Sequence, residues 1–155
     1  MKTKLLYIDT KSEFYTKAKA IRIECFFEGM SNADELINDK YEAEGVHLIC
    51  LGEDKTVLGT GRLNVENSKG IISQMAVKPT HQNLGIGTKI LEELLIKCRD
   101  MGLETIELSA RETAINFYKK RGFKVTGEKY ASRKTGIIHQ KMIKRNTGFQ
   151  PTRSD

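Results

Sequence analysis

The 155-residue chain has no tryptophan, two prolines, three cysteines and three histidines. No apolar run approaches the ~20 residues that a helical membrane span needs, so no span is expected. The start, Met1-Lys2-Thr3-Lys4, leads into a short apolar run with no cleavage-site pattern, so no secretory leader is expected either. Cys25, Cys50 and Cys98 are odd in number, widely spaced and form no Cys-x-x-Cys. They read as buried thiols of a reducing, cytoplasmic compartment. No cluster of His, Cys, Asp and Glu has metal-ligand spacing, so no metal is expected. Repeats and linkers are lacking, which implies one domain, residues 1–145. The polar segment 146–155, with Gly148 and Pro151, is expected to be a disordered tail.

What is present is ordinary for a soluble globular domain with a proper core: 39% hydrophobic and 30% charged residues. The net charge of +6 raises the question of nucleic acid. Lys and Arg are spread along the chain, gathering only near Lys119–Arg121 and Lys141–Arg145, with no interleaved stacking aromatics. A solvated basic face is the preferred reading and nucleic acid a disfavoured one. A basic rim would also suit a phosphate-rich ligand.

Hydrophobic periodicity gives the order of elements. Residues Lys4–Ile8 form a first strand, Ser12–Phe27 a helix with Phe14, Ala18, Ile21 and Cys25 on one face, and Ala33–Lys40 a short helix. Three strands follow, Val46–Leu51, Thr56–Glu66 and Ile71–Val77, joined by tight turns into an antiparallel meander. A helix bearing Ile90, Leu91, Leu94, Leu95 and Cys98 ends at Gly102. Glu104–Ser109 is a further strand, reached by this helical crossover and so expected parallel to Ile71–Val77. Thr113–Arg121 is the last helix, and Phe123–Lys129 and Ile137–Lys144 are the last strands.

The organising stretch is Ile71–Asp100. Pro79 stops a strand, and the loop Gln82-Asn83-Leu84-Gly85-Ile86-Gly87 opens a helix. Glycines admit a close ligand, and the first helical N–H groups lack intrahelical partners, so the loop is either an anion cradle or a plain tight turn. A P-loop is excluded, because Gly-Lys-Ser/Thr does not follow at its spacing; the dinucleotide fingerprint is excluded because Ile90 stands where its third glycine would be.

Gln82-x-x-Gly85-x-Gly87, preceded by Met75-Ala76-Val77-Lys78-Pro79, resembles the acetyl-CoA motif of the GNAT N-acetyltransferases. Ala114-Ile115-Asn116-Phe117-Tyr118 with Gly122-Phe123 resembles that family's second signature. Ile21-Arg22, Phe26, Asp34-Glu35, His47-Leu48, Gly59–Leu63 and Gly136–His139 resemble one of its subgroups. The resemblance implies an α/β (α+β) GNAT fold, a mixed, mostly antiparallel sheet of about seven strands flanked by about four helices.

It also implies acetyl transfer to a primary amine, of a small molecule or of a protein lysine or N-terminus, by direct transfer in a ternary complex. Acetyl-CoA is the co-substrate. The main chain of Met75, Ala76 and Val77 would pair with pantetheine, and Gln82, Asn83, Leu84, Gly85, Ile86, Gly87 and Thr88 would hold the pyrophosphate. Asn116 would bond the pantetheine amides, and Tyr118 would protonate the leaving thiolate. The general base is open among Glu28, His47, Glu107 and His139, with Glu28 preferred for its place near the expected cleft; Gln74 stands where an acid is expected and cannot serve. A homodimer is left open. The alternatives are a non-catalytic acyl-CoA-binding module and, less favoured, a basic nucleic-acid-binding protein.

Overall fold

The two periodicities of the sequence resolve into eight strands and four α-helices within residues 1–146, the part of the chain that the computed structural model describes. The fold is α+β. The chain divides into two compact units, Met1–Asn64 with Ile72–Leu94, and Val65–Ile71 with the chain from Leu95.

The first unit holds β1 (Thr3–Ile8), α1 (Tyr15–Phe26), α2 (Ala33–Ile37), β2 (Val46–Gly52), most of β3 (Val57–Glu66) and β4 (Lys69–Val77), and the start of α3 (Ile86–Asp100). β1 runs antiparallel to β2, with Thr3 opposite Gly52 and Ile8 opposite His47. β2 runs antiparallel to β3, with Val46 opposite Leu63 and a register shift at Cys50/Leu51. β4 lies beside β3, so the expected succession of strands is present.

The apolar face of α1 closes over this sheet. Ala18 and Ile21 bury against Ile49, Leu51, Val57 and Ala76. Behind it, Phe27, Ala33 and Ile37 form a small second cluster that ties α2 to the end of α1. The other close approach is made by α3. A Cβ on Gly61 would stand 2.7 Å from Met75 Sδ, 2.9 Å from Ile90 Cγ2 and 3.0 Å from Leu94 Cδ1. Two glycines in β3, Gly59 and Gly61, therefore let Ile90 of α3 sit down on the strand where side chains would hold it off.

The second unit holds β5 (Thr105–Arg111), α4 (Ile115–Lys119), β6 (Lys124–Val125), β7 (Tyr130–Ala131) and β8 (Ile138–Arg145). β5 and β8 are antiparallel from Thr105 opposite Arg145 to Arg111 opposite His139. Both β6 and β7 also pair with β8.

Several boundaries differ from the sequence expectation, for identifiable reasons. The strand expected over Phe123–Lys129 is two short ones, because Gly127 turns the chain at φ +73° and Gln140 Nε2 donates to Thr126 O and Gly127 O to hold that turn. The helix expected over Thr113–Arg121 is a 3-10 turn followed by a five-residue α4, closed by Gly122 at φ +90°. Residues 12–14 are a turn rather than helix, with Ser12 Oγ accepting from Phe14 N–H. Cys50 and Cys98 are fully buried as expected, whereas Cys25 is only half-buried.

Gly102, at φ +66°, ends α3 as the sequence suggests, and Leu103 N–H returns to Cys98 O at 3.1 Å. That carbonyl has a second donor. Asn146 Nδ2 bonds Cys98 O and Leu103 O, and the residue is 5% exposed. Asn146 thus belongs to the ordered part, while residues 147–155 of the expected tail lie outside the described residues.

The contact at Gly61 yields a prediction. Gly61→Ala inserts a methyl that Met75, Ile90 and Leu94 must move to admit, at a cost of about 1–3 kcal/mol. The melting temperature is expected to fall by several degrees in calorimetry; an unchanged value would mean that α3 is free to lift.

Candidate functional site

The phosphate-loop candidate is built by the change from strand to helix. After Val77 the chain passes through the 3-10 turn Pro79–His81 to Gln82, which is extended. Asn83 at φ +64° and Gly85 at φ +82° then reverse it into α3. Lys89 N–H is the first to bond back along the helix, to Gly85 O at 3.1 Å. The amides of Ile86, Gly87 and Thr88 therefore stand ahead of the ladder, at the positive end of the helix dipole. Ile86 is buried at 1% exposure and pins this end, while Gln82, Asn83, Leu84 and Gly85 are open to solvent. No acidic residue lies in the first turn of α3.

The strand leading in is not regular. Gln74 has φ +54° in the middle of β4, a kink just ahead of Met75, Ala76 and Val77. The Val77 carbonyl is already engaged: Gln82 Nε2 donates to it at 3.1 Å, and Cys25 Sγ lies at 3.4 Å. Gln82 thus acts here as a brace between strand and loop, a role its motif position alone does not reveal.

Behind this strand lies a set of buried charges. Glu42, 4% exposed, is the centre. Arg22 Nη1 and Nη2 donate to its two oxygens, each at 2.7 Å, and Arg62 Nη1 donates to Oε1 at 2.8 Å. Tyr15 Oη donates to Oε2, and His47 Nε2 donates to the Glu42 backbone carbonyl at 3.1 Å. Arg62 also grips Asp39, with Nη1 and Nη2 at 3.0 and 3.1 Å. Two guanidiniums thus face two carboxylates, and the charges balance. The remaining guanidinium edges reach β4: Arg22 Nε donates to Gln74 Oε1 at 3.1 Å and Arg62 Nε to Ser73 Oγ at 2.9 Å.

Burial works against the charge on Glu42, but the hydrogen bonds from Arg22, Tyr15 and Arg62 outweigh it and hold the carboxyl down at about 2. Burial, with the Glu42 hydrogen bond, raises the Tyr15 phenol to about 12. His47 is lowered, chiefly by burial, and is held neutral. It is therefore part of this scaffold.

The other candidate residues fall as follows. Glu28 is exposed in the turn that follows α1, just before Gly29 at φ +77°. In the second unit, Glu107 is paired with Lys69 at 3.2 Å and Lys141 at 3.4 Å. His139 stacks on Tyr130 and its Nδ1–H donates to Ile137 O at 2.9 Å, which leaves Nε2 as the basic nitrogen. Asn116 is exposed on α4. Tyr118, 8% exposed, packs edge-on against Phe117 and Phe123. Burial raises its phenol to about 12, and among the described residues its hydroxyl has no hydrogen-bond partner. No cluster of three or more His, Cys, Asp and Glu is arranged for a metal among the described residues, and none of their helices is long and apolar enough to cross a membrane.

Comparison with known proteins places this geometry. Residues 11–146 match the family of acetyltransferase (GNAT) domains. The chain belongs to the GNAT acetyltransferases. A Bacillus subtilis (strain 168) relative named as the uncharacterized N-acetyltransferase YjcF is 31% identical over 134 residues, 86% of this chain and 91% of that one. The GNAT fold is shared with the Escherichia coli ribosomal-protein-S18-alanine N-acetyltransferase, at TM-score 0.73 and 16% identity over 99% of both chains. An acyl-CoA N-acyltransferase from Pseudomonas aeruginosa gives TM-score 0.76 and 18% identity, over 92% of this chain and 99% of that one. This GNAT chain is accordingly an acyltransferase enzyme.

Arg22, His47 and Arg62 were marked in the sequence by the subgroup resemblance, but Tyr15, Asp39 and Glu42 were not. Glu42 sits in the irregular segment between α2 and β2, where no periodicity exists to expose it. The only sequence signal is its spacing to a histidine five residues on.

The cluster sets an acid limit. Glu42 contributes stability above its ordinary value of 4.5, and this is lost as the pH falls toward its folded value of about 2. His47, lowered from 6.5, acts in the same direction at higher pH, because protonating it buries a charge, with Arg22 and Arg62 adding to the penalty. The melting temperature is expected to decline below about pH 6.5 and to drop steeply between pH 4.5 and 2. Glu42→Ala, which strands two buried guanidiniums, is expected to cost about 3–5 kcal/mol at neutral pH. Glu42→Gln should flatten the lower limb. An identical acid profile in Glu42→Gln would remove Glu42 as its cause.

Proposed function

We propose that the protein is an acetyl-CoA-dependent N-acetyltransferase that moves the acetyl group to a primary amine, of a small molecule or of a peptide, in a single direct step. The observation that carries this reading is the sequence Met75–Thr88: an extended strand kinked at Gln74, a braced loop, and a helix whose first amides stand free of the ladder.

In this reading the pyrophosphate of acetyl-CoA lies on the amides around Leu84–Thr88, with Gly85 and Gly87 allowing close approach. Pantetheine pairs with the β4 main chain at Met75–Val77, and a backbone N–H there polarises the thioester carbonyl. Since Val77 O already accepts from Gln82, pairing at that residue falls to its N–H. Asn116 bonds the pantetheine amides. The neutral amine attacks the carbonyl carbon, the C–S bond breaks, and the thiolate takes a proton from Tyr118. The uncommitted Tyr118 hydroxyl, kept protonated by burial, supports the donor role. The amine gives up its proton to a base or to water, and Glu28 is the carboxylate proposed for this. Three free thiols suit a reducing compartment, the cytoplasm.

The exposed setting of Glu28 and the ion pairs of Glu107 favour one rival, a module that binds acyl-CoA without turning it over. Coenzyme A release in the presence of an amine panel separates the two.

Gly87→Asp places a side chain and a negative charge at the pyrophosphate and is expected to weaken acetyl-CoA binding by about 2–4 kcal/mol. Calorimetry on the folded variant showing unchanged affinity would remove the loop from the reading. Tyr118→Phe keeps the ring between Phe117 and Phe123, so affinity and stability should change little while kcat falls about 10²-fold at saturating acetyl-CoA. Full turnover in that variant would return Tyr118 to a packing role.

A further inference from the structure

The buried charges around Glu42 and the kink in β4 have so far stood as separate features. Their connection is specific. Each of the two guanidiniums clamps acid groups with its Nη donors and points its Nε–H the other way, and each Nε goes to β4. Arg22 Nε donates to Gln74 Oε1 at 3.1 Å, and Arg62 Nε donates to Ser73 Oγ at 2.9 Å. Ser73 and Gln74 are consecutive, and Gln74 is the one β4 residue with positive φ. The next three residues are those whose main chain faces acyl-CoA in the proposed function.

We infer that the Glu42-centred cluster is a positioning device, which fixes the kink at Gln74 and thereby the backbone of Met75–Val77 on which the acyl donor is held. The inference rests on the proposed function for what β4 holds, and on geometry alone for how β4 is held.

The physical argument begins with the cost of the kink. A non-glycine residue with positive φ in a strand is a strained conformation, of order 1–3 kcal/mol, and persists only where its surroundings over-determine it. Here the surroundings are rigid. Arg22 is 2% exposed and Arg62 2% exposed, and each is fixed at its tip by charged, two-point contacts. A guanidinium is planar, so fixing both Nη atoms also fixes the direction of Nε–H. Those two N–H groups then demand acceptors, because a buried donor without a partner is penalised. Gln74 Oε1 and Ser73 Oγ supply them only while β4 follows its kinked path. The acid cluster is oriented in turn by Tyr15 on Glu42 Oε2 and by His47 on the Glu42 carbonyl. Gly45 leaves room for the Arg62 stem, since a Cβ there would lie 3.0 Å from Arg62 Cγ and Cδ.

Gln74, Ser73 and Glu42 are thus positioning residues, acting through the β4 backbone. The same reading explains why an uncharged glutamine at 74 is useful in its own right: its amide oxygen meets Arg22 Nε.

The test uses Gln74→Asn and Ser73→Ala, singly and together, in the whole chain. Asn tolerates positive φ but is one methylene short of Arg22; Gln74→Glu keeps an acceptor at full reach. Two readouts are taken: amide hydrogen exchange across residues 73–77 in the free protein, and calorimetry with acetyl-CoA. In the double variant, exchange across Met75–Val77 is expected to rise at least about tenfold and the acetyl-CoA Kd about tenfold, with the chain still folded and its melting temperature lowered by several degrees. Gln74→Glu is expected to stay within about twofold of the parent in both. A folded double variant with parental exchange and parental affinity overturns the inference, as does a drop in melting temperature with neither of the other two changed. Should the parent protein itself take no acetyl-CoA, the functional reading fails, and the exchange data alone still decide whether the cluster holds β4.

Discussion

One carboxylate in a nearly dry place organises the first unit. Glu42 is held by two guanidiniums, a phenol and, through its carbonyl, an imidazole, and these groups come from α1, β2, β3 and the segment between α2 and β2. Burying three charges, with Asp39 half-buried beside them, is unfavourable unless nearly every donor and acceptor is satisfied. Satisfying them fixes the relative placement of the elements that carry them far more narrowly than apolar packing does. Apolar contacts such as Ala18 and Ile21 on Ile49 and Val57 would tolerate a slide of α1 by a fraction of a turn; the two-point grip of Arg22 on Glu42 would not.

The strand, loop and helix of the candidate site were legible in the sequence because each rests on local chemistry. Pro79 stops a ladder, Gly85 supplies positive φ, and of the helical repeat Ile90, Leu91, Leu94, Leu95 and Cys98 all but Leu95 are fully buried. Gly102 and Gly122 closed their helices where the pattern ended, each at positive φ. What was not legible depends on distant partners. The kink at Gln74 has no local signature, since a glutamine with positive φ is imposed by Arg22 from fifty-two residues away. The break between β6 and β7 depends on Gln140, and the order of Asn146 on carbonyls at Cys98 and Leu103. In each case a side-chain hydrogen bond between separate parts of the chain overrides the local pattern.

The histidines show the same division. His47 lies in an apolar strand and pairs with a backbone carbonyl, the ordinary fate of a buried imidazole; His139 has one nitrogen tied to Ile137 O and a ring on Tyr130. Sequence could name both as basic groups. Only the partner of the other nitrogen, a three-dimensional fact, tells which could still accept a proton.

The structural relatives at 16% and 18% identity share this fold at TM-scores of 0.73 and 0.76, so the fold admits wide change of side chains. A helix opens and a strand pairs through amides and carbonyls, so along Met75–Thr88 the path of the main chain depends on few side chains. In this chain that path is set by Gly85 at φ +82°, by Gly59 and Gly61, which admit α3, and by the buried charges that meet Ser73 and Gln74. The frame around Met75–Thr88 thus rests on a few glycines and a few buried hydrogen bonds, each of which acts on the main chain.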